Sequence, residues 1–199
     1  MKMPLFSGMI RGMKCSWIKR LLSKDYQRKK LAGHFVKYKA YQIEDIIQFK
    51  LDLDHVAVSS PFYHQVLKYW FELYSVQPID TKEVMRTPLW HNKNLMVNHK
   101  PILYKQWHDS GITCIYDLIS AGGILKSREE LEYKYDIKIK QMEYNSLTHA
   151  IPKQWLRMRY DKYIHNFDHK IKVKINDKQK DIEKLTCKEM YWEYVRKHV

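Results

Sequence analysis

Apolar residues in this chain never run on for more than a few consecutive positions, and where they recur they do so mostly at intervals of three and four. Intervals of that size gather side chains on one face of a helix. A bilayer span needs roughly 20 consecutive apolar residues, so none is expected, and the mean hydropathy of −0.59 agrees. Hydrophobic residues nonetheless fill 45% of the 199 positions. That is too many for a disordered tail and enough for a core in one or two domains. The pattern predicts a mainly α fold, a helical domain with one or two small β-hairpins.

Trp17, Ile18, Leu21 and Leu22 share one face of a short amphipathic helix, with Ser16, Lys19, Arg20 and Ser23 opposite. A second helix is expected around Tyr26–Tyr38, weakened by Gly33. Ser60 and Pro61 supply an N-cap and a first-turn proline to the clearest helix, in which Tyr63, Val66, Leu67, Trp70 and Tyr74 recur at three and four; Pro78 closes it. Leu95–Val97, a turn-like Asn98-His99-Lys100 and Pro101–Tyr104 read as a hairpin near 95–104. A helical turn over Lys105–Ser110 stops at Gly111, and a helix around Cys114–Ser120 stops at Gly122-Gly123.

Ser127 with Glu130, and Thr186 with Glu189, have the spacing of capping boxes. Leu131 and Tyr135 follow the first box, and Met190, Tyr191 and Tyr194 follow the second. Between them Tyr144, Leu147 and Ile151 form a helical face broken by Pro152, and alternating Ile171, Val173 and Ile175 predict a short strand. The expected division is a basic N-terminal helical segment, residues 1–60, and a helical core domain, residues 61–199.

Charge is distributed unevenly along the chain, whose formal net charge is +14. Residues 1–40 hold 11 lysines and arginines against one acid, Asp25; residues 41–60 hold one against four. Residues 61–136 balance nine against nine, and residues 137–199 hold 15 against eight. Two basic ends thus flank a balanced middle, a field that favours a polyanion such as RNA or DNA. Lys19, Arg20, Lys24, Arg28, Lys29 and Lys30 cluster beside Trp17 and Tyr26. Cations at that density suit phosphates, and the rings suit bases; a solvated helix face is the competing explanation.

Other constellations are weaker. Asp52 and Asp54 would put two carboxylates on one face of a strand, and His165 and His169 would share a helix face around Asp168. Calcium needs six to eight oxygens and zinc four ligands, and neither pair has the remainder nearby, so no metal or other cofactor is expected. Cys114 with His108 is a conceivable nucleophile and base, but ITCIYDLI surrounds the thiol with apolar residues, so it reads as core. Glu129-Glu130 suits a helix start. Trp90, Tyr104 and Trp107 read as core rather than as a stacking platform, because their segment is nearly neutral.

Three widely spaced cysteines, Cys15, Cys114 and Cys187, read as reduced thiols of an intracellular protein, cytoplasmic or nuclear. Met1–Ile10 has no sustained apolar region and so no secretory signal is expected. The acid-free first 24 residues read as the end of a basic segment rather than a mitochondrial leader.

The stretch PLWHNKNLMVNHKPILYKQWHDSGITCIYDLISAGGILKSREELEYKYDI resembles a segment that follows the reverse-transcriptase domain in LINE-type (non-LTR) retrotransposon polyproteins. The positions that carry the resemblance are Pro88, Leu89, Trp90 and Asn92, then Lys100, Pro101, Ile102, Tyr104, Lys105 and Trp107. Gly111, Ile112, Asp117, Leu118, Gly122, Gly123, Ser127, Glu130 and Leu131 continue it. SWIKRLL at Ser16–Leu22, AIPKQW at Ala150–Trp155 and TCKEMYW at Thr186–Trp192 look like flanking elements of the same family, in the same order.

The resemblance implies a C-terminal part of an RNA-directed DNA polymerase polyprotein, without its enzymes. A reverse transcriptase needs paired aspartates to hold two metal ions, and this chain has no Asp-Asp pair. The endonuclease domain and the Cys/His cluster of some relatives are likewise unmatched. The expected function is non-catalytic. Basic ends would bind template RNA or target DNA, and the chain would support the polymerase domain of the parent polyprotein. A protein-interaction scaffold that binds no nucleic acid is the alternative.

Overall fold

The computed structural model describes residues 6–22, 34, 36–37, 41, 43–55, 57–73, 81–120, 123–156, 171–175 and 178–198. Helix α1, Phe6–Ser16, forms although two glycines sit inside it, each costing about 1 kcal/mol of helix propensity relative to alanine. Packing explains why. Gly8, Gly12 and Cys15 lie at intervals of four and three and form its buried face, on which α11, Cys187–His198, rests. A Cβ on Gly8 would stand 2.9 Å from the Tyr194 ring, and one on Gly12 would stand 3.2 Å from the Tyr191 backbone nitrogen. A side chain at either position would force its neighbour on α11 to shift.

The helix predicted around Trp17 is therefore the end of a longer helical run. The Trp17 N–H donates to the Lys14 carbonyl, a tight turn that leads into α2, Ile18–Leu21. Ile18 and Leu21 are buried and Arg20 is exposed, as the apolar spacing predicts. The helix expected over Tyr26–Tyr38 is not realised at its C-terminal end, where Val36–Lys37 is strand β1, paired antiparallel with β2, Ala57–Val58. β-branched Val36 suits a ladder better than a helix; residues 23–33 lie outside the described residues.

Two units divide the chain: residues 1–76 with 169–199, and residues 77–168. Residues 60 and 61 both belong to the first, so the boundary drawn from composition does not separate them. In the first unit α3, Ile43–Gln48, and α4, Pro61–Leu73, join α1, α2 and α11. α4 starts at its proline as expected, with the Ser60 carbonyl accepting from the His64 N–H at 3.0 Å. Ile18, Leu21, Ile46, Ile47, Leu67, Trp70 and Met190 are among the buried residues of one core. Trp70 donates from Nε1 to the Ile47 carbonyl at 2.9 Å.

The second unit has a core of its own, formed by residues that include Leu89, Trp90, Trp107, Ile115, Leu131, Leu147 and Trp155. Its elements are α5 (Thr81–Arg86), β3 (Met96–Val97), β4 (Lys100–Pro101), α6 (Lys105–Asp109), α7 (Ile115–Leu118), α8 (Arg128–Tyr135), α9 (Gln141–Ala150) and α10 (Lys153–Leu156). β3 and β4 pair antiparallel through the two-residue loop Asn98-His99. Both loop residues have positive φ, 51° and 62°, the left-handed geometry of a type I′ hairpin. Lys100, expected in the turn, is the first residue of β4. Gly111, with φ of 96°, ends α6 where expected.

A third ladder, β5 (Lys172–Ile175) with β6 (Lys178–Asp181), belongs to the first unit and buries Ile171 and Val173. It leads through a 3₁₀ turn at Ile182–Lys184 to α11. The fold is mainly α with small antiparallel ladders. Among the described residues no helix is long and apolar enough to cross a membrane.

Candidate nucleic-acid interface

Of the residues expected to contact nucleic acid, Trp17, Lys19 and Arg20 are described; Lys24, Arg28, Lys29 and Lys30 lie outside the described residues. Trp17 sits at the turn between α1 and α2, half-buried against the first core. Its ring meets Phe62, from the first turn of α4, edge-to-face at 5.1 Å. The Arg20 guanidinium carbon lies 3.8 Å from the centre of the Trp17 ring. Helical spacing accounts for that contact, because residues three apart are neighbours on the surface. Lys19 is half-exposed and Arg20 exposed, and neither makes an ion pair with a described residue.

Several other described cations of this unit are engaged internally. Arg11 bonds Glu72 at 2.8 Å and lies 4.9 Å from the centres of both the Tyr69 and Tyr194 rings. Lys14 donates to Gln65 and approaches the Tyr69 ring. Lys180 is bonded to Glu189, and Arg196 bonds the buried Glu193 at 2.6 Å. Lys197 donates to the Leu73 carbonyl at the end of α4, and burial pulls its ammonium pKa down despite Glu193 nearby. The structure thus sorts the described cations of this unit into those bonded within it, such as Arg11, Lys14 and Lys197, and those left facing solvent. Lys68 on α4 and Lys188 on α11, not singled out in the sequence, are exposed. Phe62 was also missed, because its contact with Trp17 spans 45 positions of sequence and has no local signature.

The aromatic stretch of the second unit is interior. Trp90 and Trp107 are fully buried, and with the half-buried Tyr104 their ring centres lie 5.8–6.2 Å apart. Trp90 donates from Nε1 to the Ile112 carbonyl at 2.6 Å, and Trp107 to Glu143 at 3.2 Å. The ends of the stretch are tied by backbone bonds from Leu89 to Thr113 and from Ile115 to Thr87, at 3.0 and 3.1 Å. Asn92 secures the start of that loop by donating to the Pro88 carbonyl at 2.7 Å. Trp90, Asn92 and Trp107 thus serve to fold the segment.

Asp117 is the same kind of residue. Its Oδ2 accepts from the Thr113 and Cys114 N–H groups at 2.8 and 3.0 Å, capping α7, and its Oδ1 accepts from the Tyr135 hydroxyl at 3.1 Å. Lys126 donates to the Asp117 carbonyl at 2.7 Å, and Tyr144 donates to the Lys126 carbonyl at 2.8 Å. Burial, with the neighbouring carboxylate, pushes Cys114 up to about 12, so its thiol is protonated at neutral pH and is a poor nucleophile. Cys15 is likewise pushed up to about 12, by burial first and then by Glu72.

Of the two candidate metal-binding pairs, the carboxylate pair Asp52 and Asp54 lies among the described residues. Asp52 is bonded to His55 at 3.1 Å in a turn, and Leu51 and Leu53 around it are buried. Among the described residues no three His, Cys, Asp or Glu side chains are grouped to hold a metal ion. His165 and His169 lie outside the described residues. Comparison of the chain with protein-family models, with curated proteins and with solved structures finds no match.

Proposed function

We propose that the chain binds nucleic acid, template RNA or target DNA, through its first unit. In this reading it is a non-catalytic C-terminal portion of a LINE-like retrotransposon polyprotein and braces the polymerase part. One observation carries the binding: the basic residues 1–40 and the basic C-terminal stretch 169–199, separated by most of the sequence, belong to one unit. That unit holds 22 lysines and arginines against 11 acids, a net +11, whereas the second holds 14 against 11, a net +3. Charge concentrated in one part of a molecule produces the local potential that phosphates seek. The resemblance adds the polymerase context, and a reading frame upstream of Met1 that encodes a paired-aspartate polymerase motif would establish it.

Binding is tested by titrating a labelled oligonucleotide at rising salt. Several released counterions make affinity fall by orders of magnitude between ~50 and ~200 mM. Affinity that is absent at low salt, or nearly flat across that range, refutes the proposal.

A second reading, a protein-interaction scaffold, has one observation in its favour. Phe6, Met9 and Met13 recur at three and four on α1, away from its glycine face, and all three are exposed. Charge reversal of Lys19, Arg20, Arg28, Lys29 and Lys30 to Glu separates the readings. Nucleic-acid affinity that survives in the folded variant favours the scaffold.

A further inference from the structure

We infer that Arg20, Trp17 and Phe62 form a stacking platform, and that the nucleic acid this unit takes is single-stranded. The inference deepens the proposed function and rests on it. The Trp17 ring is half-buried, backed by the first core and braced edge-on by Phe62. Arg20 covers the ring at 3.8 Å, the separation of a stacked contact. The guanidinium is a planar cation, and Arg20 is exposed.

That arrangement suits an unpaired base. A base stacks on a guanidinium plane or on an aromatic ring, and the same cation attracts the adjoining phosphate. A duplex hides its base faces inside the stack and offers only groove edges and phosphates. Trp17 is half-buried against the first core and does not project as a free side chain into a groove. Lys19, adjacent in sequence and without an ion pair among the described residues, adds a phosphate contact that either form of nucleic acid accepts. Strand selectivity therefore comes from the planar pair and general affinity from the surrounding lysines.

The test measures fluorescence anisotropy with labelled 20-nucleotide single strands, one RNA and one DNA of the same sequence, and with the matching duplex. Wild type, Arg20→Ala and Arg20→Lys are compared at one low salt concentration. Arg20 is exposed, so both variants should keep the fold, which circular dichroism checks. Arg20→Lys keeps the charge and loses the plane. The expected result is roughly tenfold weaker single-strand binding for both variants, the size of one lost stacking contact, with duplex binding by Arg20→Lys within about twofold of wild type. Single-strand affinity unchanged in Arg20→Lys, or wild-type duplex binding as tight as single-strand binding, overturns the platform and leaves nucleic-acid binding standing. No binding of any probe at low salt overturns both.

Discussion

The two units are held together by opposite means. The second unit closes on itself through contacts made within one continuous stretch of sequence: caps at Ser127 and Asp117, a two-residue hairpin loop, and Trp90 bonded to the Ile112 carbonyl. The first unit closes by bringing together segments from the two ends of the chain, with the glycine face of α1 against α11. Its charges then serve two purposes, some fastening that closure and some facing out. The comparison teaches that the stretch densest in local signals is architectural, whereas the unit with the larger net positive charge is closed by segments far apart in sequence.

The sharpest way to break the second unit is Trp90→Ala. The substitution empties a fully buried site and strips the Ile112 carbonyl of its indole donor. The expected loss is about 3–5 kcal/mol, read as a lower urea midpoint for that unit's transition. A loss under about 1 kcal/mol would mean that the ring cluster is dispensable and that the caps alone organise the unit.

The matching experiment on the first unit is Gly12→Ala. On an exposed helix the change should gain up to about 1 kcal/mol through propensity. Here the new Cβ meets the Tyr191 backbone at 3.2 Å, and backbone yields less readily than a side chain. Overpacking should turn the gain into a loss of about 1–3 kcal/mol, with a reduced thermal midpoint. Stabilisation instead would show that α1 and α11 have room to separate and that the closure is looser than described.

This contrast also explains what the sequence could and could not tell. Ser127 with Glu130, the Asn98 turn and Gly111 were readable because each signal and its partner lie within a few positions. Helix α1 was not, since Gly8 and Gly12 argue against a helix until the partner that needs them is in view. In the candidate interface, the clustering of Trp17, Lys19 and Arg20 was legible. The engagement of Arg11 and Lys14, and the role of Phe62, depend on α4 and α11 and left no mark within a sequence window.

Local closure predicts modest, additive losses, and Ser127→Ala measures one. The Ser127 hydroxyl accepts from the Glu130 N–H at 3.2 Å while Glu130 accepts from the Ser127 N–H at 2.6 Å. Removing the hydroxyl leaves half of the box, for a loss of about 1 kcal/mol in the second unit. A loss of 3 kcal/mol or more would show that α8 nucleates the unit rather than finishing it.

The smallest expected effect comes from the equivalent box in the first unit, which also engages the strand just before it. Glu189 accepts from the Thr186 N–H at 2.9 Å and also from Lys180 on β6. The Lys180 bond first, and then the Thr186 N–H, hold the Glu189 carboxyl down at about 2, below its ordinary 4.5. A carboxylate depressed in the folded state stabilises it fully above the unfolded pKa and loses that contribution as pH falls toward the folded one. The window is therefore about pH 4.5 down to 2. The pair is open to solvent, so screening keeps the effect below about 1 kcal/mol. Glu189→Gln should lower stability slightly at pH 7 and flatten the dependence between pH 5 and 2 relative to wild type. Parallel pH profiles would mean that β6 does not hold the start of α11 through this residue, and the first unit would then close on α1 and its glycines alone.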